Sequence, residues 1–229
     1  MTAIETRTIP APKELKRNNA VRLYAQAALG VLPEHNKVLI TEYVEQLKSP
    51  QIEQWINEGK LTLGLIRPQV DKNKKGLSDS EAVDEIVKYI ESSSLEILTT
   101  FSIRFNAACI AEFYPRKIRD RLKELEPQGS KKYDDRLEEF AALMTSGPTT
   151  ALLLFAEDGK AIDYWRKLIG HWNVEDEETR EKGTIRTNLA INNINSLVHG
   201  SDGPEAAKRE LGVLINVLQN SLNSADKKL

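Results

Sequence analysis

NSLVHGSDGPEAAKREL, residues 195–211, contains the change of backbone period on which the fold of this chain turns. Leu197 and Val198 lead apolar into His199 and Gly200, the pattern of a short buried strand reaching its end. Pro204 then suits the first turn of a helix, where its missing N–H would have had no partner, and PEAAKRELGVLINVL repeats apolar residues at helical spacing. The segment therefore predicts one imidazole at a strand end and one carboxylate, Glu210, eleven residues on, near the middle of the following helix.

The same alternation of periods recurs upstream. LTLGLIRP, residues 61–68, is an apolar run ended by proline, LEILTTFSIRF alternates as a second strand, and TTALLLFA is a third. Ala82, Val83, Ile86, Val87 and Ile90 mark an amphipathic helix, NAACIAEFY returns to helix, and AIDYWRKLIG is the helix after the third strand. Arg116 to Glu139, heavily charged with Pro127 and Gly129 in its middle, reads as two solvated helices around a turn, joined to the buried EFAALM. HWNVEDEETREKGTIR reads as a polar loop. From Leu61 the order is β-α-β-(α)-β-α-β-α. Its core is the ferredoxin-like βαββαβ unit, an α+β class with helices on one face of an antiparallel sheet.

Ahead of this domain the pattern is helical. Residues 1–13 are polar and proline-bearing, and Val21, Tyr24, Ala28 and Val31 then recur at helical spacing. Beyond Pro33, so do Ile40, Tyr43, Val44 and Leu47. Ser49-Pro50 resembles a cap and first-turn proline for a short helix holding Ile52, Trp55 and Ile56, with Gly59 as its stop. The expected organisation is a flexible start and N-terminal helical appendage over 1–58, separable from the chemistry and concerned with assembly or partner choice, the alternative being helices that cover an exposed face of the sheet or of the 116–140 segment. An α+β domain over 59–222 and a polar tail over 223–229 complete it.

Composition narrows the function. An apolar fraction of 40% and a charged fraction of 29% are ordinary for a globular chain, and a net charge of −2 argues against gripping nucleic acid by bulk charge. The single cysteine, Cys109, excludes an intramolecular disulfide and reads as a small buried helix residue. No run approaches the roughly 20 apolar residues that span a bilayer. The start lacks the apolar core of a secretory signal, so a cytoplasmic protein without a membrane partner is expected. GxxxxGK[ST], HExxH and GxSxG are absent. His35 reads as a surface residue, and His171 has no acid or cysteine at metal-ligand spacing.

Residues 195–211 resemble the active-site segment of the nucleoside diphosphate kinases, in which a strand-end His is followed by Gly-Ser-Asp and an acid-bearing helix. LGLIRPQV (63–70) is similar to that family's first strand, SGPTTALLL (146–154) to its central strand and GTIR (183–186) to its arginine-bearing loop. EFYP and WRKLIG fall between them in order, so that the resemblance covers roughly residues 60–220. It implies ping-pong transfer of a γ-phosphate from a nucleoside triphosphate to a nucleoside diphosphate through phospho-His199. It also implies Mg²⁺ arriving with the nucleotide rather than held by the protein, and a homo-oligomer.

Carried over by residue, Glu210 holds the distal ring nitrogen, Arg67 takes the place of a strand-end lysine, and Arg166 and Arg186 bind phosphate. Tyr114 lies near the histidine, Ser196 is on the sugar side and Ser201 donates a hydrogen bond to the phosphoryl group. A neutral imidazole is a competent nucleophile near pH 7, and Gly200 is expected to leave room for the phosphoryl group.

Departures cluster on the base and sugar side. Ser196 replaces an asparagine, and Asn193 and Ile194 a valine and a glycine, while at the phosphate end Trp172 replaces a phosphate-contacting threonine. The stretch from Tyr114 to Ser146 is longer than usual, and no base-stacking phenylalanine is located, Phe140 reading as core. Two alternatives follow: a catalytically weak nucleotide-sensing or scaffolding protein on the same fold, and a histidine phosphocarrier.

Overall fold

The computed structural model describes residues 34–69, 73–115 and 117–226. The helix read over Val21 to Val31, and the polar start before it, lie outside the described residues. The elements are α1 (Glu34–Leu47), α2 (Pro50–Asn57), β1 (Leu61–Ile66), α3 (Asp79–Glu91), β2 (Glu96–Ile103), α4 (Ala107–Phe113), α5 (Lys117–Leu125), α6 (Lys131–Ser146), β3 (Thr149–Phe155), α7 (Ala161–Ile169), α8 (Ile185–Leu189), β4 (Val198–Gly200) and α9 (Pro204–Asp226). All four strands form one sheet in the order β2-β3-β1-β4 with every pairing antiparallel, the ferredoxin-like arrangement.

Helix boundaries follow local chemistry. Ser78 and Glu81 form a reciprocal capping box at the start of α3, and Asn106, Ser130 and Thr184 cap α4, α6 and α8 through their side chains. The cap at Thr184 explains α8, which the sequence reading placed within a loop. Pro50 opens α2, although Ser49 makes no side-chain capping bond. The last helix runs on through Asp226, past the boundary at 222 where a tail was expected.

Helices cover both sides of the sheet, which corrects the expectation of one. Every residue of β1 is buried, as is all of β3 except the half-buried Thr150, so both faces of the central strands need apolar cover. On one side Ile86 and Ile90 of α3 and Trp165 of α7 pack against Ile66, Leu152 and Leu154. On the other, residues of α1, α2, α4, α6 and α9 pack against Leu63, Phe101 and Leu153. No helix among the described residues is long and apolar enough to cross a membrane.

The two N-terminal helices belong to that second layer. Tyr43, Val44, Leu47, Ile52 and Ile56 are buried in the same core as β1 and α9. The Tyr43 hydroxyl lies 2.8 Å from Thr99 Oγ1, Trp55 meets Phe155 edge-on at 5.2 Å, and Lys208 of α9 pairs with Glu53 at 3.5 Å. The change at residue 59 is thus one of sequence character more than of packing. At about 1.5–3 kcal/mol per buried side chain, these five represent about 8–15 kcal/mol, comparable with the whole stability of a domain. A chain beginning at Glu58 is expected to be insoluble or to have lost its cooperative thermal transition. A folded, active truncation differing only in sedimentation mass would instead make these helices an assembly appendage.

Candidate active site

His199 lies in the middle of β4, an edge strand, paired with Leu65. The approach to it is strained. Leu197 has φ 58°, a left-handed conformation that costs a non-glycine residue about 1–3 kcal/mol, and its carbonyl accepts from Arg67 N at 2.7 Å. Behind the strand the buried Trp165 indole donates from Nε1 to the His199 carbonyl at 3.0 Å.

That indole also accounts for Gly200. Gly64 and Gly200 are register partners, and a Cβ at either would sit 2.9 Å or 2.7 Å from the Trp165 ring. The glycine makes room for tryptophan, not for a phosphoryl group as the sequence reading had it. Gly200→Ala is expected to cost about 1–3 kcal/mol by overpacking, read as a lower denaturation midpoint at unchanged m. An unchanged midpoint would show that the indole yields freely.

The imidazole is held from several sides. His199 Nε2 is 2.8 Å from Glu210 Oε2, and the two side chains are 2% and 0% exposed. Ser201 Oγ donates to the same carboxylate oxygen at 2.7 Å, and Arg209 Nη2 donates to the other at 3.3 Å. A buried carboxylate with three donors is well satisfied. Ser201 therefore positions Glu210, where the sequence reading had it contacting phosphate. Phe113 and Tyr114 meet the imidazole edge-on at 5.2 and 5.1 Å, fixing the ring plane.

Four arginines lie within electrostatic reach of one another, and two of them bond to neighbours of His199, Arg67 to Tyr114 and Arg186 to Val198. Buried Arg67 donates to Ser196 Oγ at 3.1 Å and, over a longer 3.4 Å, to the Tyr114 hydroxyl, with Phe140 under its guanidinium at 5.5 Å. Phe140 itself is core, as expected. Buried Arg186 donates to the carbonyls of Gly170 at 2.6 Å and Val198 at 3.1 Å, bracing the end of α7 against β4. The Nε atoms of both have no partner among the described residues. Half-exposed Arg166 pairs with Asp202. The fourth is Arg121 of α5, whose guanidinium lies 5.3 Å over the Trp172 ring.

Arg121 lies in the charged run that reads as solvated helices. The available signal was periodicity: in KIRDRLKEL it shares the stripe of Ile118, Leu122 and Leu125.

The guanidinium charges act on one another. Burial, then Arg67, Arg121 and Arg166, push the Arg186 guanidinium down to about 9. Burial raises the Tyr114 phenol while Arg67 opposes it, so the phenol does not ionise over the same range. Arg186 is thus charged below about pH 9 and gives up its proton above it. Affinity for sulfate, an anion whose own charge is constant over this range, is therefore expected to be level from pH 7 to about 9 and to weaken above, by up to about tenfold per unit. Calorimetric titrations at fixed ionic strength check this, and a level profile to pH 10.5 would refute it.

The residues that the resemblance puts on a base and sugar side are engaged by the protein itself. Asn193 Oδ1 accepts from Val174 N at 2.7 Å, and its Nδ2 donates to Asn173 Oδ1 at 2.8 Å. Its amide thus braces the 170–184 loop. Ile194 is buried in the core, and Ser196 is engaged by Arg67. The loop also reaches the helical arm α5–α6, where Glu175 approaches Arg136 at 3.7 Å.

Fold and site together define a ferredoxin-like α+β domain with a carboxylate-held histidine on an edge strand, among arginines. The nucleoside diphosphate kinase family model matches residues 61–219. A nucleoside diphosphate kinase of Haemophilus ducreyi is 33% identical over 150 residues, covering 66% of this chain and 90% of the relative. Nucleoside diphosphate kinase 6 of Xenopus tropicalis is 32% identical over 157 residues, covering 69% and 75%. The crystal structure of an NDP kinase from Pyrobaculum aerophilum shares the fold, with a TM-score of 0.52 at 22% identity over 67% of this chain and 94% of that one. The chain belongs to the nucleoside diphosphate kinase family.

Proposed function

We propose that this chain transfers the γ-phosphate of a nucleoside triphosphate to a nucleoside diphosphate through phospho-His199. The observation that carries the reading is the buried 2.8 Å contact between His199 Nε2 and Glu210 Oε2, together with the mutually interacting Arg67, Arg121, Arg166 and Arg186. Ionised Glu210 favours the tautomer with its proton on Nε2, so nucleophilic attack falls to Nδ1. The N–P bond forms at Nδ1 as the bond from the γ-phosphorus to the β,γ-bridging oxygen breaks, and the nucleoside diphosphate leaves. The Nε2 proton stays against Glu210, steadying the positive charge on the phosphorylated ring. A second diphosphate reverses these steps.

Mg²⁺ enters as part of the substrate, carried on its phosphates, and the arginines supply the remaining charge on the transferring group. The test is incubation with labelled ATP-Mg²⁺ followed by a chase with mixed nucleoside diphosphates. Label should enter the protein and leave on the chase as nucleoside triphosphates. Absence of both label and turnover in folded protein would overturn the proposal. It would favour instead a nucleotide-sensing or scaffolding protein, the reading supported by Asn193, whose amide is engaged by the loop.

A further inference from the structure

The helical arm α5–α6 meets the 170–184 loop, whose first residue, Gly170, is tied through Arg186 to Val198, the neighbour of His199. Their contacts include the Arg121 guanidinium over Trp172 at 5.3 Å and Arg136 near Glu175 at 3.7 Å. The second is an ordinary ion pair. The first is unusual, because Arg121 is half-buried yet has no hydrogen-bond or ion-pair partner among the described residues. A guanidinium carries five donors, and partial burial without partners is costly. Burial lowers its affinity for its proton, as do Arg67 and Arg166, while Asp202 works the other way. Its charge thus lies within electrostatic reach of Arg67 and Arg166, and a guanidinium laid on an aromatic face keeps N–H donors at its edge for an anion.

We propose that Arg121 is a phosphate-binding residue of this site, delivered by the helical arm and held over the phosphates by its stack on Trp172. The proposal rests on the phosphoryl-transfer reading above and deepens it. Trp172 acts here as a positioning residue: it touches Arg121 and sets where the guanidinium lies. The ligand is the phosphate chain, common to all nucleotides, and not the base.

The experiment uses the full chain and measures Kd for inorganic tripolyphosphate and for ADP by calorimetry, with thermal midpoints in parallel. Arg121→Ala is expected to weaken both ligands alike, by about ten- to a hundredfold, the usual range for hydrogen bonds to a charged group. Arg121→Lys should recover part of that loss. Trp172→Ala should weaken both ligands too, Trp172→Phe should retain most of the affinity, and the double alanine variant should be no weaker than Arg121→Ala, since the two act as a unit.

Variants that bind tripolyphosphate within twofold of the unsubstituted chain, with or without a lower thermal midpoint, would make the stack a loop anchor and overturn the proposal. Loss of ADP binding alone in Trp172→Ala would also overturn it, assigning the ring to the base. If the unsubstituted chain binds neither ligand, the phosphoryl-transfer reading fails with it. Binding by that chain with unaffected variants leaves the parent reading standing.

Discussion

His199→Gln abolishes the acid-labile, base-stable phosphoryl label that the chain is expected to acquire from ATP-Mg²⁺, and nucleotide exchange falls to background. Glutamine offers a donor toward Glu210, so the buried carboxylate stays partnered and the fold is retained. It has no ring nitrogen to attack phosphorus. The effect is therefore a loss of chemistry, observable as missing label at a near-normal thermal midpoint. Glu210→Gln serves as the graded companion. Removing one charge-assisted hydrogen bond of about 1.5–3 kcal/mol should slow transfer about ten- to a hundredfold without eliminating it. Label persisting in His199→Gln, or surviving acid, would move the acceptor to another residue. An unaffected Glu210→Gln would mean that the tautomer is set by something else.

Arg186→Ala and Arg166→Ala are each expected to lower turnover by at least about a hundredfold, because fixed charge on a transferring phosphoryl group supplies several kcal/mol. The structure separates the reasons. Arg186 is buried and donates to the carbonyls of Gly170 and Val198, so its loss also leaves two acceptors without their donor and should lower the thermal midpoint. Arg166 is half-exposed and pairs with Asp202, so its loss should leave stability near normal. A slow Arg166→Ala enzyme of ordinary stability isolates the contribution of charge. Near-normal kcat in both variants would place these arginines outside the chemistry and make Arg186 a brace alone.

The base side carries less weight in these expectations. Asn193 braces the loop, Ser196 accepts from Arg67 and Phe140 is core, so the proposed transfer rests on groups that would address phosphates, which every nucleotide shares.

Much of this was legible in the residues. Period-two and helical spacings are local, and they placed β1 through β4, the crossover helices α3 and α7, and α9, since each element's own pattern shows how its side chains alternate. Capping chemistry is local too, though the cap at Thr184 was overlooked. His199, Glu210, Arg67, Tyr114, Arg166 and Arg186, named from the order of short motifs, do come together in space. What each one touches was another matter. Spacing along a chain does not say which surface a side chain meets across the fold. Only packing decided that Gly200 yields to Trp165, that Ser201 serves Glu210, and that α1 and α2 complete the sheet's second layer. The place of Arg121 was likewise tertiary: one residue of a charged helix becomes part of the site because Ile118 and Leu122 turn that stripe inward and Trp172 meets it from a distant loop. Local chemistry selects the elements, while the burial of apolar surface selects their neighbours, and a site built from residues more than a hundred positions apart is decided by the second.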